Sequence, residues 1–260
     1  MLGDAVSRSF QTVWPQEIFH DQHADPKFDF KTSPDIGKRL NFFNFRHDVL
    51  KGRPPLSLPS MANQSLIFDE YLEYLVHSEN TPRYLLDIKY TSWHHLDSYW
   101  RVFCQRPHLL AEVMKRQIPI VHLKRSNLFA LYCSQKLAAQ TGVWQALDDQ
   151  TRLGRRLTVD VSRCLRELED IRTTQHLFER WLFGYPVREL EYETLLAAGG
   201  FSENVEEVFK GIYGIPPFEP LSTLHRKVTP PLSEVVWNKD EVLQALQGTD
   251  FYRMAQQMLT

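Results

Sequence analysis

The sequence predicts an α/β fold, a three-layer α/β/α domain around a central, mostly parallel sheet. Strand-like segments at residues 84–90, 118–123 and 187–192 alternate with stretches whose apolar residues recur at helical spacing, as strand–helix–strand units do. Ile118, Ile120, Val121 and Leu123 form a short apolar run with β-branched members, suited to a buried parallel strand. The chain has 260 residues, 43% of them hydrophobic, which is enough to bury a sizeable core. It reads as one domain over 1–260, without internal repeats or low-complexity tracts.

Leu2, Ala5, Val6, Phe10 and Val13 share one helical face, predicting a helix over 2–13 that is left behind at Pro15. Residues 21–60 read as an aromatic, proline-containing excursion with one or two short helices, a place for acceptor contacts. A helix is expected over 68–77, a strand over 84–90, a helix over 99–105 and another over 107–117 with proline at its start. The strand at 118–123 then meets Lys124, Arg125, Ser126 and Asn127, and a helix runs from Leu128 to the Thr141-Gly142 stop. A helix start offers N–H groups and Arg125 a fork of donors, so this basic turn is a natural anion site. A long helix is predicted over 156–183, a strand over 187–192 and a short helix over 194–198. A helix over 202–213 follows, with Ser202 able to cap it, then a basic, Pro-rich loop over 218–232 and three closing helical pieces.

The net charge of −2 gives no global basic field, so nucleic acid is not expected as a partner and any anion site must be local. Three cysteines without a Cys-x-x-Cys pair fit reduced thiols and a cytoplasmic location, with no zinc signature. Cys133 and Cys164 fall at apolar helical positions and are expected to be buried. No signal peptide or membrane span is expected.

Several local patterns then line up in order. His122-Leu-Lys-Arg-Ser-Asn-Leu128, Ser134 and Thr141-Gly142-Val143-Trp144 resemble the segment with which sulfotransferases that use PAPS (3′-phosphoadenosine 5′-phosphosulfate) hold the cofactor's 3′-phosphate. Pro15-Gln-Glu-Ile-Phe19 resembles a segment of the bacterial group that includes trehalose and nodulation sulfotransferases. Leu190-Glu-Tyr-Glu-Thr-Leu195 is similar to that group's Tyr-Glu-x-Leu strand end. Arg226-Lys227, Pro231-Leu232-Ser233-Glu234, Asn238 and Gly248-Thr249 resemble its closing segment.

The resemblance implies a P-loop NTPase-like sulfotransferase fold, PAPS as cofactor and a hydroxyl of a carbohydrate or other small molecule as acceptor. It implies that Arg125 and Ser134 bind the 3′-phosphate, with Arg226 and Lys227 covering that end, and that Glu17 is the general base. Arg125 stands one residue before the family's usual position, which Ser126 holds here. The family's Arg-Ser/Thr-Gly-Ser/Thr phosphosulfate turn has no counterpart, since Ser7-Arg-Ser9 lacks glycine and lies in a helical pattern. The resemblance therefore implies a fold whose N-terminal strand and loop are missing, and a protein that binds a nucleotide or partner without catalysis is the alternative.

Lys89 could neutralise sulfate or an anionic acceptor, or simply snorkel at a strand end. His94 and His95 follow the same strand and offer an alternative base; with no Cys, Asp or Glu at ligand spacing they make a poor metal site. Trp100, Trp181 and Phe183 are expected in the core, and the Phe-rich patch over 42–45 either packs there or lines an acceptor pocket.

Overall fold

Strands β1 (Ile120–Lys124) and β2 (Val187–Glu191) pair in parallel, with Ile120 opposite Val187 and Lys124 opposite Glu191. The computed structural model describes residues 2–19, 31, 33–58, 60–79, 81–90, 92–93, 105–142, 156–197, 200–222 and 231–260. It is a mixed α/β protein, predominantly helical, with this small parallel sheet. A second parallel pairing joins the segment after the first helix to the strand expected over 84–90. Val13 N–H donates to Arg83 O (3.0 Å), Leu85 N–H to Val13 O (2.9 Å) and Ile18 N–H to Asp87 O (3.2 Å). Val13 faces Tyr84 but Glu17 faces Asp87, so the first segment carries one extra residue. Gln16 absorbs it with a left-handed φ of 63°, which turns the backbone just before Glu17.

The helices are α1 (Leu2–Phe10), α2 (Ile36–Arg39), α3 (Phe42–Gly52), α4 (Met61–Ser78), α5 (His108–Lys115), α6 (Leu128–Thr141) and α7 (Val161–Leu182), followed after β2 by α8 (Glu203–Tyr213), α9 (Leu232–Val235), α10 (Lys239–Leu246) and α11 (Asp250–Leu259). Caps set several starts: Asn41 accepts from Phe43 N–H, Ser60 from Asn63 N–H and Asn127 from Ala130 N–H. Gly142 ends α6 at φ 70°, the left-handed conformation that glycine adopts without a Cβ penalty.

Apolar side chains gather into three clusters. Phe42, Phe68, Tyr71, Leu109, Phe178 and Trp181 belong to the first, where the Phe42 and Tyr71 rings meet edge-on at 5.0 Å. Tyr71 is fully buried and its hydroxyl donates to Leu40 O at 2.6 Å, so its one polar atom is satisfied. The second joins α6 and α7 to α9, α10 and α11. The third joins α1 to α8. Neighbouring residues of the extended segments go to different clusters. Leu86, Ile88, Ile120 and Val187 pack with the first, while Leu85, Val121 and Leu190 pack with the third. This is the period-2 alternation of extended chain that packs apolar side chains on both faces, although within β1 and β2 only His122 and Leu190 are buried.

Several expectations need correction. The first helix stops at Phe10, because the chain must straighten to pair with 83–87. Residues 156–160 are not helical; Leu157 bridges Val236, and Asp160 caps α7 instead. Leu196–Ala197 pairs antiparallel with Gly200–Phe201 as strands β3 and β4, replacing the helix expected over 194–198. Ser202 precedes α8 without a side-chain capping bond. Phe183 is 86% exposed, since it lies just past the end of α7 and turns away from the face that buries Trp181. The helix over 99–105, Trp100 and most of the basic loop over 218–232 lie outside the described residues.

The Trp14 indole packs against Gly3 of α1. A Cβ on Gly3 would lie 2.3 Å from Trp14 Cε2, inside any permitted contact. Gly3→Ala is expected to lower unfolding free energy by about 1–3 kcal/mol despite the better helix propensity of alanine, as measured by urea denaturation.

Candidate functional site

Arg125 leaves the end of β1, where the parallel register sets it beside the residues that follow β2. The preceding cation, Lys124, is held by Glu189 at 2.8 Å and Glu179 at 3.7 Å. Arg125 has a different partner: its guanidinium lies 3.6 Å from the centre of the Tyr192 ring. Among the described residues it has no carboxylate partner, although Glu193 is next in sequence to Tyr192. The Glu193 carboxylate turns instead to the start of α6. It accepts from Ser126 N–H and Ser126 Oγ, both at 3.1 Å, and from Asn127 N–H at 3.3 Å. Asn127 completes the turn by capping α6 at Ala130 N–H (2.9 Å) and donating from Nδ2 to Met254 O of α11 (3.2 Å).

This corrects one expectation. The sequence offers the N–H groups at the start of α6 to a ligand, but Glu193 and Asn127 already satisfy Ser126, Asn127 and Ala130 N–H. Leu128 and Phe129 N–H have no hydrogen-bond partner among the described residues, so the donors left to an incoming anion are these two and those of Arg125. Ser134 is half-buried on α6, roughly 9 Å along the axis from Leu128 at 1.5 Å per residue.

Glu17 follows the Gln16 bend, at the carboxyl end of the other parallel pairing, where ligand sites of α/β sheets gather. Its side chain is 9% exposed. Oε2 meets Lys89 Nζ at 2.6 Å as an ion pair, without the angles of a hydrogen bond, and Oε1 accepts from the Ser92 hydroxyl. Asp87 stands across the pairing. Desolvation of its carboxyl, and then the Glu17 charge, raise its pKa, while Lys89 pulls it back. The structure thus brings together two sequence candidates, Glu17 and Lys89, and adds Ser92 and Asp87, which the sequence did not single out. Likewise it adds Tyr192 and Glu193 to Arg125. The Tyr-Glu pair at the strand end was the signal for those two. His94, His95, Arg226 and Lys227 lie outside the described residues.

No group of metal-ligating residues exists among the described residues, and none of their helices is long and apolar enough to cross a membrane. Cys133 and Cys164 are buried, and burial pushes the Cys164 thiol up to about 11, which makes it a poor nucleophile. An open groove of about 590 Å³ is lined by Val13, His77, Ser78, Glu79 and Thr81, and takes in none of the candidate residues. Phe42 and Phe45 are core residues. No protein-family model, curated protein or solved structure matches the chain.

One buried titratable group supports the sheet from within. His122 on β1 is 5% exposed and shares a 2.6 Å hydrogen bond with the Tyr90 hydroxyl through Nε2, while Nδ1 stands 4.0 Å from Glu189. Burial, and then Lys124, depress its pKa below the ordinary 6.5, with Glu189 and Glu179 opposing. The unfolded chain therefore binds a proton that the folded chain refuses, so stability is complete above pH 6.5 and falls as pH drops through that value toward the folded pKa. Urea denaturation at pH 7.0, 6.0 and 5.5 is expected to show this loss in the wild type and a shallower one in His122→Gln.

Proposed function

We propose that this chain is a PAPS-dependent sulfotransferase whose Arg125 end holds the cofactor's 3′-phosphate. The observation that carries the reading is the state of Arg125: a guanidinium laid on a tyrosine ring, beside a glutamate already engaged elsewhere, with no carboxylate partner among the described residues. Such a group has given up part of its rotamer freedom and keeps its planar fork for a phosphate, which it matches in a bidentate manner. Ser134 would add a neutral donor. The donor set fits the 3′-phosphate end of PAPS, and when bound PAPS supplies the sulfuryl group.

The fold proposed with this function is a three-layer α/β/α domain around a central parallel sheet. Its support is the alternation by which Leu85, Val121 and Leu190 pack with α1 and α8 while Leu86, Ile120 and Val187 pack with the opposite cluster. The acceptor would be a hydroxyl compound, a carbohydrate or another small molecule. Its oxygen would bond to the sulfur as the bond from sulfur to the 5′-phosphate oxygen breaks, leaving 3′,5′-ADP. Glu17 would take the hydroxyl proton. It has the burial and the donor partners to hold a carboxylate in one orientation. Lys89 ties up the same carboxylate, so an acceptor has to displace or share that ammonium.

That ion pair also favours a second reading, in which the protein binds the nucleotide without transferring sulfate. Calorimetry with 3′,5′-ADP combined with a radiolabelled sulfate-transfer assay separates the two. The first reading predicts binding that weakens roughly 10- to 100-fold in Arg125→Ala, as loss of a charged hydrogen bond implies, and transfer that fails in Glu17→Gln with binding intact. Arg125-dependent binding with no transfer to any of a panel of sugars would leave the second. Binding that is absent, or indifferent to Arg125→Ala, would overturn both.

A further inference from the structure

Arg125 and Glu193 lie within one small cluster but do not neutralise each other. Electrostatics alone would bring a carboxylate and a guanidinium on adjacent turns together, and Arg–carboxylate pairs are among the strongest polar contacts. What prevents it is visible in the hydrogen bonds. Glu193 spends both oxygens on α6: Oε2 accepts from Ser126 N–H and Ser126 Oγ, and Oε1 accepts from Asn127 N–H. A carboxylate held by two successive amides at the positive end of a 14-residue helix is well placed there. The same bonds span 67 residues between Ser126 and Glu193, so they fasten the turn after β1 to the turn after β2. Tyr192, adjacent to Glu193 in a short 3-10 turn, is thereby fixed beneath Arg125.

We infer that Glu193 is a positioning residue for the anion site: it keeps the Arg125 guanidinium over the Tyr192 ring and unneutralised, and it occupies the Ser126 and Asn127 amides before α6. The ligand class is a phosphate or sulfate monoester taken by the edge of Arg125. Glutamine at 193 has one acceptor oxygen where glutamate uses two, so it keeps the Ser126 bonds or the Asn127 bond but not both, and holds the arrangement only in part. Alanine removes the anchor, leaves the amides to solvent and lets Arg125 leave the ring. Aspartate is one methylene too short to reach both amides from the same backbone, and places a loose carboxylate beside Arg125.

The inference rests on the anion-site reading above, and its test has a ligand-independent arm. The Nε–Hε proton of Arg125, followed by NMR in the unliganded protein, is expected at an upfield, ring-current-shifted position in the wild type, and at a position between that and the solvated one in Glu193→Gln. It should return to the position of a solvated arginine in Glu193→Ala and in Tyr192→Leu. In calorimetry with 3′,5′-ADP, Glu193→Ala is expected to weaken binding roughly three- to tenfold, the cost of ordering a side chain no longer held. Glu193→Asp should weaken it at least as much, Glu193→Gln should fall between the wild type and Glu193→Ala, and none of these changes should matter in an Arg125→Ala background. An unshifted Arg125 resonance in the wild type, or equal binding by all Glu193 variants with Arg125 present, overturns the inference, and the sulfotransferase reading then stands only if 3′,5′-ADP binding still depends on Arg125. A shifted resonance that depends on Glu193, in a protein that binds no 3′,5′-ADP, supports the inference and removes the nucleotide reading.

Discussion

The parallel register of β1 and β2 is the constraint on which the proposed anion site depends. Parallel strands end at the same edge of their sheet, so the turns that follow them are neighbours however far apart they are in sequence. Pairing Lys124 with Glu191 brings the turn at 125–127 against the turn at 192–194. From that one juxtaposition follow the ring contact of Arg125 with Tyr192 and the hold of Glu193 on the Ser126 and Asn127 amides. A register slip would send Leu190 from its buried side to the other face and dismantle both contacts, so the apolar alternation of the strands protects the site as well as the core.

Charge is handled differently at the two candidate ends. At Arg125 the neighbouring acid is diverted to backbone amides, which leaves a cation with open donors. At Glu17 the neighbouring base is accepted, and Lys89 neutralises the carboxylate directly. A carboxylate only 9% exposed and left alone would be costly, and the exposed lysine above it supplies the compensation at little desolvation cost of its own. The first arrangement suits a ligand that arrives with negative charge. The second suits one that arrives neutral with a hydroxyl hydrogen to offer, and that can share the lysine rather than compete with it.

Local signals in the sequence carried much of this. Asn127 before an apolar-periodic run and Thr141-Gly142 after it delimit α6, because a cap and a left-handed glycine act within a turn of chain. The strand at β1 was legible from its branched residues, and the burial of Cys133 and Cys164 from helical spacing. Features that depend on distant partners were not legible. The extended segment at 13–18 hides behind Pro15 and a polar Gln16 that adopts a left-handed φ. The hairpin β3–β4 has strands only two residues long, too short for a period to register. Phe183 looks like the next apolar residue of α7 but stands past its last turn. Glu17 was singled out by resemblance, whereas its ion pair with Lys89 links positions no local pattern connects, and Glu193 reads as an ordinary exposed acid until the register places Ser126 beside it.

The central claim is that the Arg125 end of this chain receives a 3′-phosphate. Phosphorus NMR of 3′,5′-ADP titrated with the protein tests it most directly, because the two phosphates report separately. The account predicts that the 3′-phosphate resonance shifts and broadens, and that this response disappears with Arg125→Ala. Two flat titrations, or a response confined to the 5′-phosphate and indifferent to Arg125, would contradict it.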